Sequence, residues 1–284
     1  MSRLAVPKTY KLFVAGAFRR SESGRTYPVV DARGTFAANV PAASRKDLRD
    51  AVQASRRAFP AWSGTTAYNR GQVLYRIAEV MEGRRAQFAD EVRRTSGVGR
   101  ARAEEEVDAA IDLWVWYAGW SDKLVQVAGG ANPVAGPFFN LSVTEPTGVA
   151  AIVAPQESGL VGLVSVVAPA LVAGNTVVAM AARRHPFAAV GLAEVLATSD
   201  VPCGTVNILT GDPGELMPVA AAHADVNALD LTGAGALEWV DAQIAAAETL
   251  KRVLTPVPGP ATRSLQRILA FTETKTIWHT TSTR

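Results

Sequence analysis

The stretch from Glu145 to Gly233 constrains this chain more than any other part. It carries short runs rich in Val, Ile and Leu, each followed by a helix-like stretch. That alternation marks βαβ units and a parallel sheet. The spacing predicts strands at Val149–Ala154, Thr176–Met180, Val206–Thr210 and Val226–Leu231, with KRVLT as a fifth. The predicted helices between them are Leu160–Ala173, Ala188–Thr198 and Gly214–His223, followed by Leu237–Leu250. The expected fold is α/β, a doubly wound sheet of five parallel strands. With 284 residues, 48% of them hydrophobic, the chain can bury the core such a sheet needs.

Upstream, Leu12–Ala17 and Tyr27–Val30 read as an edge hairpin with Ser21–Gly24 as its turn. Ser44, with Asp47 three residues on, caps a helix carrying Leu48, Val52, Ser55 and Phe59 and closed by Pro60 and Trp62. A second helix follows Thr66 with the stripe Val73, Leu74, Ile77, Met81 and Phe88; a third runs from Arg102 to about Val127. Its WVWYAGW block (Trp114 to Trp120) is expected in an interhelical core or a subunit contact. Phe138–Glu145 alternates like a strand. Pro256, Pro258 and Pro260 mark a linker, Ser264–Ala270 a short helix, and FTETKTIWH an exposed terminal strand. The units are thus expected at 1–137, 138–147, 148–255 and 256–284.

The net charge of +3 comes from arginines scattered along helices, the pattern of a solvated face rather than a nucleic-acid track. Cys203 is the one cysteine, so no disulfide forms within the chain, which fits a reducing compartment. No apolar leader is evident and the longest apolar run is too short for a bilayer. A cytoplasmic location is expected. His185, His223 and His279 stand apart, so no metal site is expected. Glu104, Glu105 and Glu106 read as dipole-complementing surface charges.

The order of these pieces resembles the aldehyde dehydrogenase superfamily. The matching segments are LFVAGAFRRSESGRTYPVVD, VPAASRKDLRDAVQASRRAFPAW, EPTGVAAIVAPQ, APALVAGNTVV, VPCGTVNILTG, DVNALDLTGA and LAFTETKTIWH. The resemblance covers nearly the whole chain and is collinear. It implies a Rossmann-like NAD-binding domain preceded by helices. It also implies a two-part β oligomerisation arm, carried here by Phe138, Phe139, Leu141, Val143, Phe271, Thr274, Thr276, Ile277 and Trp278. In that family a cysteine thiolate attacks an aldehyde, hydride passes to NAD or NADP, and a glutamate activates water.

Carried over position by position, the resemblance implies a crevice with altered residues. The family's Pro-Trp-Asn falls on Pro155-Gln156-Glu157, which puts Glu157, a carboxylate, where an oxyanion donor belongs. Met180 replaces the ribose-binding lysine, and Arg183 lies in the region of the expected acidic group. Gly211 follows a strand. The phosphate turn starts at Gly233, with Ala234 for a serine and Glu238 for the second glycine. Pro256 replaces the water-activating glutamate. After Gly259 the likeness jumps to the family's C-terminal strand, so the catalytic domain and its nucleophile are expected to be missing, and Cys203 sits elsewhere.

These substitutions imply no tightly held cofactor, NAD or NADP being the family's own. The donor strand, with no catalytic domain to receive its like, implies a hetero-oligomer with a full-length aldehyde dehydrogenase. The chain is expected to be a non-catalytic subunit that stabilises or regulates that partner by strand donation. The alternatives are a nucleotide-sensing module and a divergent oxidoreductase that borrows a partner's residues.

Overall fold

Buried β-branched runs stack side by side because each is apolar on both faces. The computed structural model describes Leu4 and residues 6–237, 239–256 and 263–281. The readings made at Glu238, Pro258, Gly259 and Pro260 lie outside those residues. In chain order the elements open with β1 (Leu12–Val14), β2 (Ala17–Arg19), β3 (Thr26–Val30) and β4 (Phe36–Pro41). The helices α1 (Arg45–Gly64), α2 (Ala67–Gly83), α3 (Arg85–Ser96), α4 (Arg100–Ala118) and α5 (Leu124–Ala128) follow. Then come β5 (Gly130–Ala131), β6 (Phe138–Pro146), β7 (Val149–Val153), α6 (Val161–Val172), β8 (Thr176–Met180) and α7 (Pro186–Leu196). The chain continues through β9 (Val206–Leu209), α8 (Pro213–Ala222), β10 (Ala228–Asp230), α9 (Val240–Ala247) and β11 (Arg252–Leu254). It ends with α10 (Leu265–Leu269) and β12 (Thr272–Thr280).

The main sheet runs β11-β10-β7-β8-β9-β1-β2. Its first five strands are parallel, as expected. The β1–β2 hairpin extends it antiparallel, Phe13 facing Ile208. One face is covered by α2, α3, α4, α6 and α7 around Trp114, Tyr117 and Phe88; the other by α1, α8 and α9. Burying each large side chain contributes about 1.5–3 kcal/mol. Among the described residues, no helix is long and apolar enough to cross a membrane.

Several local expectations are corrected. The first hairpin turns at Ala15-Gly16, not at Ser21–Gly24, and β3 pairs instead with β4 as a separate ribbon. Both Ala15 and Gly16 have positive φ, the geometry a tight connection demands. The Ser44–Asp47 pair does close a capping box: Asp47 accepts from the Ser44 amide at 2.8 Å. Pro60 does not end α1, because the turn beyond it is held by the buried Trp62. Phe88 belongs to α3, and the expected third helix stops at Ala118 before the separate α5.

The arm also differs from expectation. β12 lies antiparallel against β6 through nine residue pairs, Thr272↔Pro146 to Thr280↔Phe138. A third strand, β5, pairs on the far side of β6, so the order is β12-β6-β5 and the two-part arm has three strands. The outer edge of β12 bears no further strand among the described residues. Phe271 is not an arm residue but a fully buried part of the core. Its carbonyl accepts from Asn175 Nδ2 at 2.8 Å, and Asn175 Oδ1 in turn accepts from the Gly148 amide at 2.8 Å.

Candidate functional site: the strand-end crevice

The chain leaves β7 for β8 and β9 on one side, then returns to place β10 on the other. That reversal is the switch point, where doubly wound sheets bind ligands outside the carboxyl ends of their strands. The loops after β7, β8, β9 and β10 therefore bring together Pro155, Gln156, Glu157, Arg183, Gly211, Gly233 and Ala234.

Most of the polar groups there are already engaged within the chain. Gln156 Nε2 donates to the Ala154 carbonyl at 2.6 Å, and its Oε1 accepts from the Arg183 amide at 3.0 Å. The Gln156 side chain thus ties the β7 end to the β8 end. Glu157 is exposed at the bend that follows. Met180 does not line the crevice, being 1% exposed within the core on the α1/α8/α9 face. Arg183 Nη1 donates to Asp212 Oδ2 at 2.5 Å, and its guanidinium lies 5.3 Å from the Tyr27 ring centroid. Tyr27 OH donates to the Arg183 carbonyl at 3.1 Å. Burial pushes the Tyr27 phenol up, against the opposing pull of Arg183.

The N-terminus of α6 opens beside this site, and Glu106 of α4 occupies it. Glu106 Oε1 accepts from Ser158 Oγ at 2.7 Å and makes longer contacts of 3.4 Å with the amides of Leu160 and Val161. Glu106 is therefore not a surface charge serving its own helix. It supplies the negative charge that the α6 dipole favours. The carboxylate itself is plain in the sequence, but nothing there shows that α6 meets it.

The β10 loop closes on β7 by backbone. The Gly233 amide donates to the Val153 carbonyl at 3.0 Å. A Cβ at Gly233 would stand 1.9 Å from the Ala154 oxygen, so only glycine fits. Ala234 is fully buried. No helix starts at this turn; α9 begins only at Val240, so Gly233 and Ala234 are not at a helix N-terminus. Gly211 has φ +141°, and a Cβ added there would stand 3.0 Å from the Ala43 nitrogen, which makes it a packing glycine too. Pro256, beyond the end of β11, lies beside Gly235 and carries no ionisable group.

Sequence reasoning missed a buried cluster at the same sheet end. Asp230 accepts from Arg267 Nη2 at 2.6 Å, from Thr232 Oγ1 at 2.6 Å and from the Thr232 amide at 2.9 Å. Arg267 Nη1 also donates to Thr232 Oγ1 at 2.8 Å. This pair fastens α10 to the sheet. Next to the crevice, a groove of about 560 Å³ is lined by Tyr27, Asp31, Thr95, Arg183, Arg184 and His185. His185 Nδ1 lies 3.0 Å from Thr95 Oγ1. Burial, helped by the charge of Arg184, holds the imidazole below its ordinary value, while Glu106 and Glu157 oppose the shift. Among the described residues, no cluster of His, Cys, Asp and Glu is placed to hold a metal ion. Cys203 is exposed in the turn before β9, at the opposite end of that strand from Gly211.

A doubly wound sheet, helices on both faces and a three-stranded β arm define a protein of the dinucleotide-binding fold class. The chain belongs to the aldehyde dehydrogenase family, whose sequence profile matches residues 18–262. It is 32% identical over 248 residues to cytosolic aldehyde dehydrogenase 1 of Elephantulus edwardii, covering 86% of this chain and 49% of that protein. Human retinal dehydrogenase 2 is 31% identical over 257 residues, 89% of this chain and 49% of the relative. Among solved structures, HpcC from Thermus thermophilus superposes with a TM-score of 0.80 at 30% identity, covering 87% of this chain and 47% of that one. PnpE, solved in complex with nicotinamide adenine dinucleotide, gives a TM-score of 0.80 at 28% identity, with 86% and 50% covered. The chain spans about half the length of the relatives it matches.

Proposed function

We propose that this chain is a non-catalytic aldehyde-dehydrogenase-like subunit that joins a full-length aldehyde dehydrogenase and stabilises or regulates it. The observation that carries the reading is the arm: β12 has one edge paired with β6 and the other open among the described residues, with Phe138, Phe139 and Trp278 exposed around it. An open edge of nine residues is a template for a further strand, and main-chain hydrogen bonds with side-chain pockets would supply affinity and selectivity. Because β12 is satisfied on one side, the arm does not forbid this chain from associating with itself as well.

The crevice supports the non-catalytic part. The residues present fit a family-style dinucleotide grip poorly: the Gln156 amide bonds two loops, Glu106 already fills the α6 N-terminus, and Arg183 is paired with Asp212. Glu157 and Pro256 stand where the family resemblance places an oxyanion donor and a general base. The proposed role accordingly includes no chemical step through a nucleotide.

Co-expression with full-length aldehyde dehydrogenases of the same genome, followed by size exclusion, tests the assembly. Co-elution that Trp278→Glu abolishes is expected. Separate elution from every such enzyme, or turnover of aldehydes with NAD or NADP by the purified chain alone, would overturn the proposal.

One observation favours a second reading. The groove beside the crevice presents the Arg184 cation, exposed and in no ion pair among the described residues, a setting for a nucleotide sensed rather than transformed. Calorimetric titration with NAD, NADP, ADP and coenzyme A separates the readings: saturable binding lost in Arg184→Glu supports sensing, and no heat with any of them removes it.

A further inference from the structure

Helix α8 turns an apolar stripe toward solvent on its α1 side. Pro218 and Ala222 are exposed, Val219 is half-buried, and Gly214 continues the line toward the start of the helix. Residues four apart share a helix face, so Gly214, Pro218 and Ala222 form one strip. At 1.5 Å per residue that strip is about 12 Å long. Helix α1 packs beside it without covering it, which leaves an open groove of about 810 Å³ between the two helices.

The polar groups along the groove are mostly donors. Arg45 and Arg49 stand one turn apart on α1, both exposed, and neither makes an ion pair among the described residues. Like charges at that spacing repel, and an anion held between them relieves the repulsion. The carboxylates nearby are engaged elsewhere: Asp50 with Lys46 at 3.5 Å, Glu215 with Arg25 at 3.2 Å and Asp225 with Arg56 at 3.7 Å. At the C-terminal end of α8, His223 also lines the groove. Its Nδ1 accepts from the Asp225 amide at 3.1 Å, so the proton of the neutral ring sits on Nε2, which is left to donate. Burial, helped by Lys251, Arg49 and Arg56 against the pull of Asp225, holds this imidazole below its ordinary value.

We infer that the α1–α8 groove binds a small amphipathic carboxylate, its unbranched chain lying along Pro218, Val219 and Ala222 and its head between Arg45 and Arg49. A strip of about 12 Å accommodates an extended chain of roughly eight to ten carbons. The guanidiniums match a carboxylate in charge and in fork geometry. Glu215 on the same wall keeps its own negative charge in the groove, which favours a singly charged head over a dianion. The chain supplies apolar contact and the head fixes its direction, the division of labour usual in small-molecule sites.

Calorimetric titration of the full chain with sodium decanoate, kept below micelle formation, tests this. Saturable binding at one site is expected, weakening as salt rises because the cations are exposed. Acetate, which lacks the chain, and inorganic phosphate should bind at least about tenfold more weakly. Arg45→Gln combined with Arg49→Gln should cost at least about tenfold, whereas Arg45→Lys with Arg49→Lys should retain most of the affinity. Ala222→Glu, at an exposed helix position, should also cost at least about tenfold by placing a carboxylate on the floor. Thermal melts of these surface variants should match the parent chain, so that lost binding is not lost folding. Arg184→Glu should leave decanoate binding unchanged, which separates this site from the nucleotide groove considered above. No saturable heat with decanoate, equal binding of acetate, or binding indifferent to both the arginine-to-glutamine pair and Ala222→Glu would overturn the inference.

Discussion

Gly233 shows how a motif residue can be read correctly and still mean something different. Sequence places it at a phosphate turn; the structure uses it to let two backbones meet, with no room for a methyl group beside the Ala154 carbonyl. Gly233→Ala should therefore cost about 3 kcal/mol through overpacking. A denaturant melt would show it, with Gly83→Ala as the control, because nothing lies within 4 Å of an added Cβ there. The Gly83 variant should be neutral or slightly stabilised, by up to about 1 kcal/mol. A second expectation at this scale concerns pH. His185 and His223 both have folded values held below the ordinary 6.5, largely by burial. Below that value the unfolded chain binds more protons than the folded one, so stability is fully present above about pH 6.5 and falls as the solution is acidified. Denaturant midpoints near neutrality and about one unit below pH 6.5 should show this fall, and His185→Gln should shrink it; a midpoint that rises on acidification would contradict it. The positions of Gln156 and Glu157 were legible in sequence, but their partners were not. Which loop Gln156 bridges depends on strand order, which a one-dimensional pattern leaves open.

Among the elements, β-branched runs announced all five parallel strands, because fully buried strands need apolar residues on both faces. The hairpins were harder to read. Ser21–Gly24 has turn chemistry, yet the tighter Ala15-Gly16 makes the first hairpin, and β3 pairs forward with β4 instead. Turn residues mark where a chain can reverse, while pairing is settled by what each strand can bury. The short helix α10 was expected, but not its anchor. Asp230 is fully buried, and Arg267, at 20% side-chain exposure, is the cation paired with it. Arg267→Ala strands that carboxylate without its charge partner, which should cost about 3–5 kcal/mol. Arg267→Ala combined with Asp230→Asn should recover part of the loss, since the amide removes the uncompensated charge. Urea midpoints of the single and double variants measure this coupling; additive losses would mean that the pair acts only by packing. The surface pair Arg183–Asp212 is the contrast. With side chains 44% and 39% exposed, it should be worth no more than about 1 kcal/mol to stability.

For the whole molecule, the consequential feature is that the arm and the body are differently protected. Strands β7, β8 and β9 are buried throughout, whereas β12 is mostly exposed and its outer edge is open among the described residues. The body and arm are joined by Phe271, held through Asn175, and by Arg252 donating to both carboxylate oxygens of Glu273 at 2.5 and 2.7 Å. Sequence alone implied a two-part arm with an exposed terminal strand; it could not show that β6 takes that strand on one side and β5 on the other. Hydrogen exchange should therefore find the slowest amides in β7 and β8, opening only with global unfolding, and faster amides in β12. Adding a full-length aldehyde dehydrogenase that this chain joins should slow the β12 amides selectively, because a strand laid on the open edge would take up their N–H groups. If the added enzyme protects neither β12 nor its neighbour β6, strand donation is not how the two associate, and the arm must be explained by the chain's own stability.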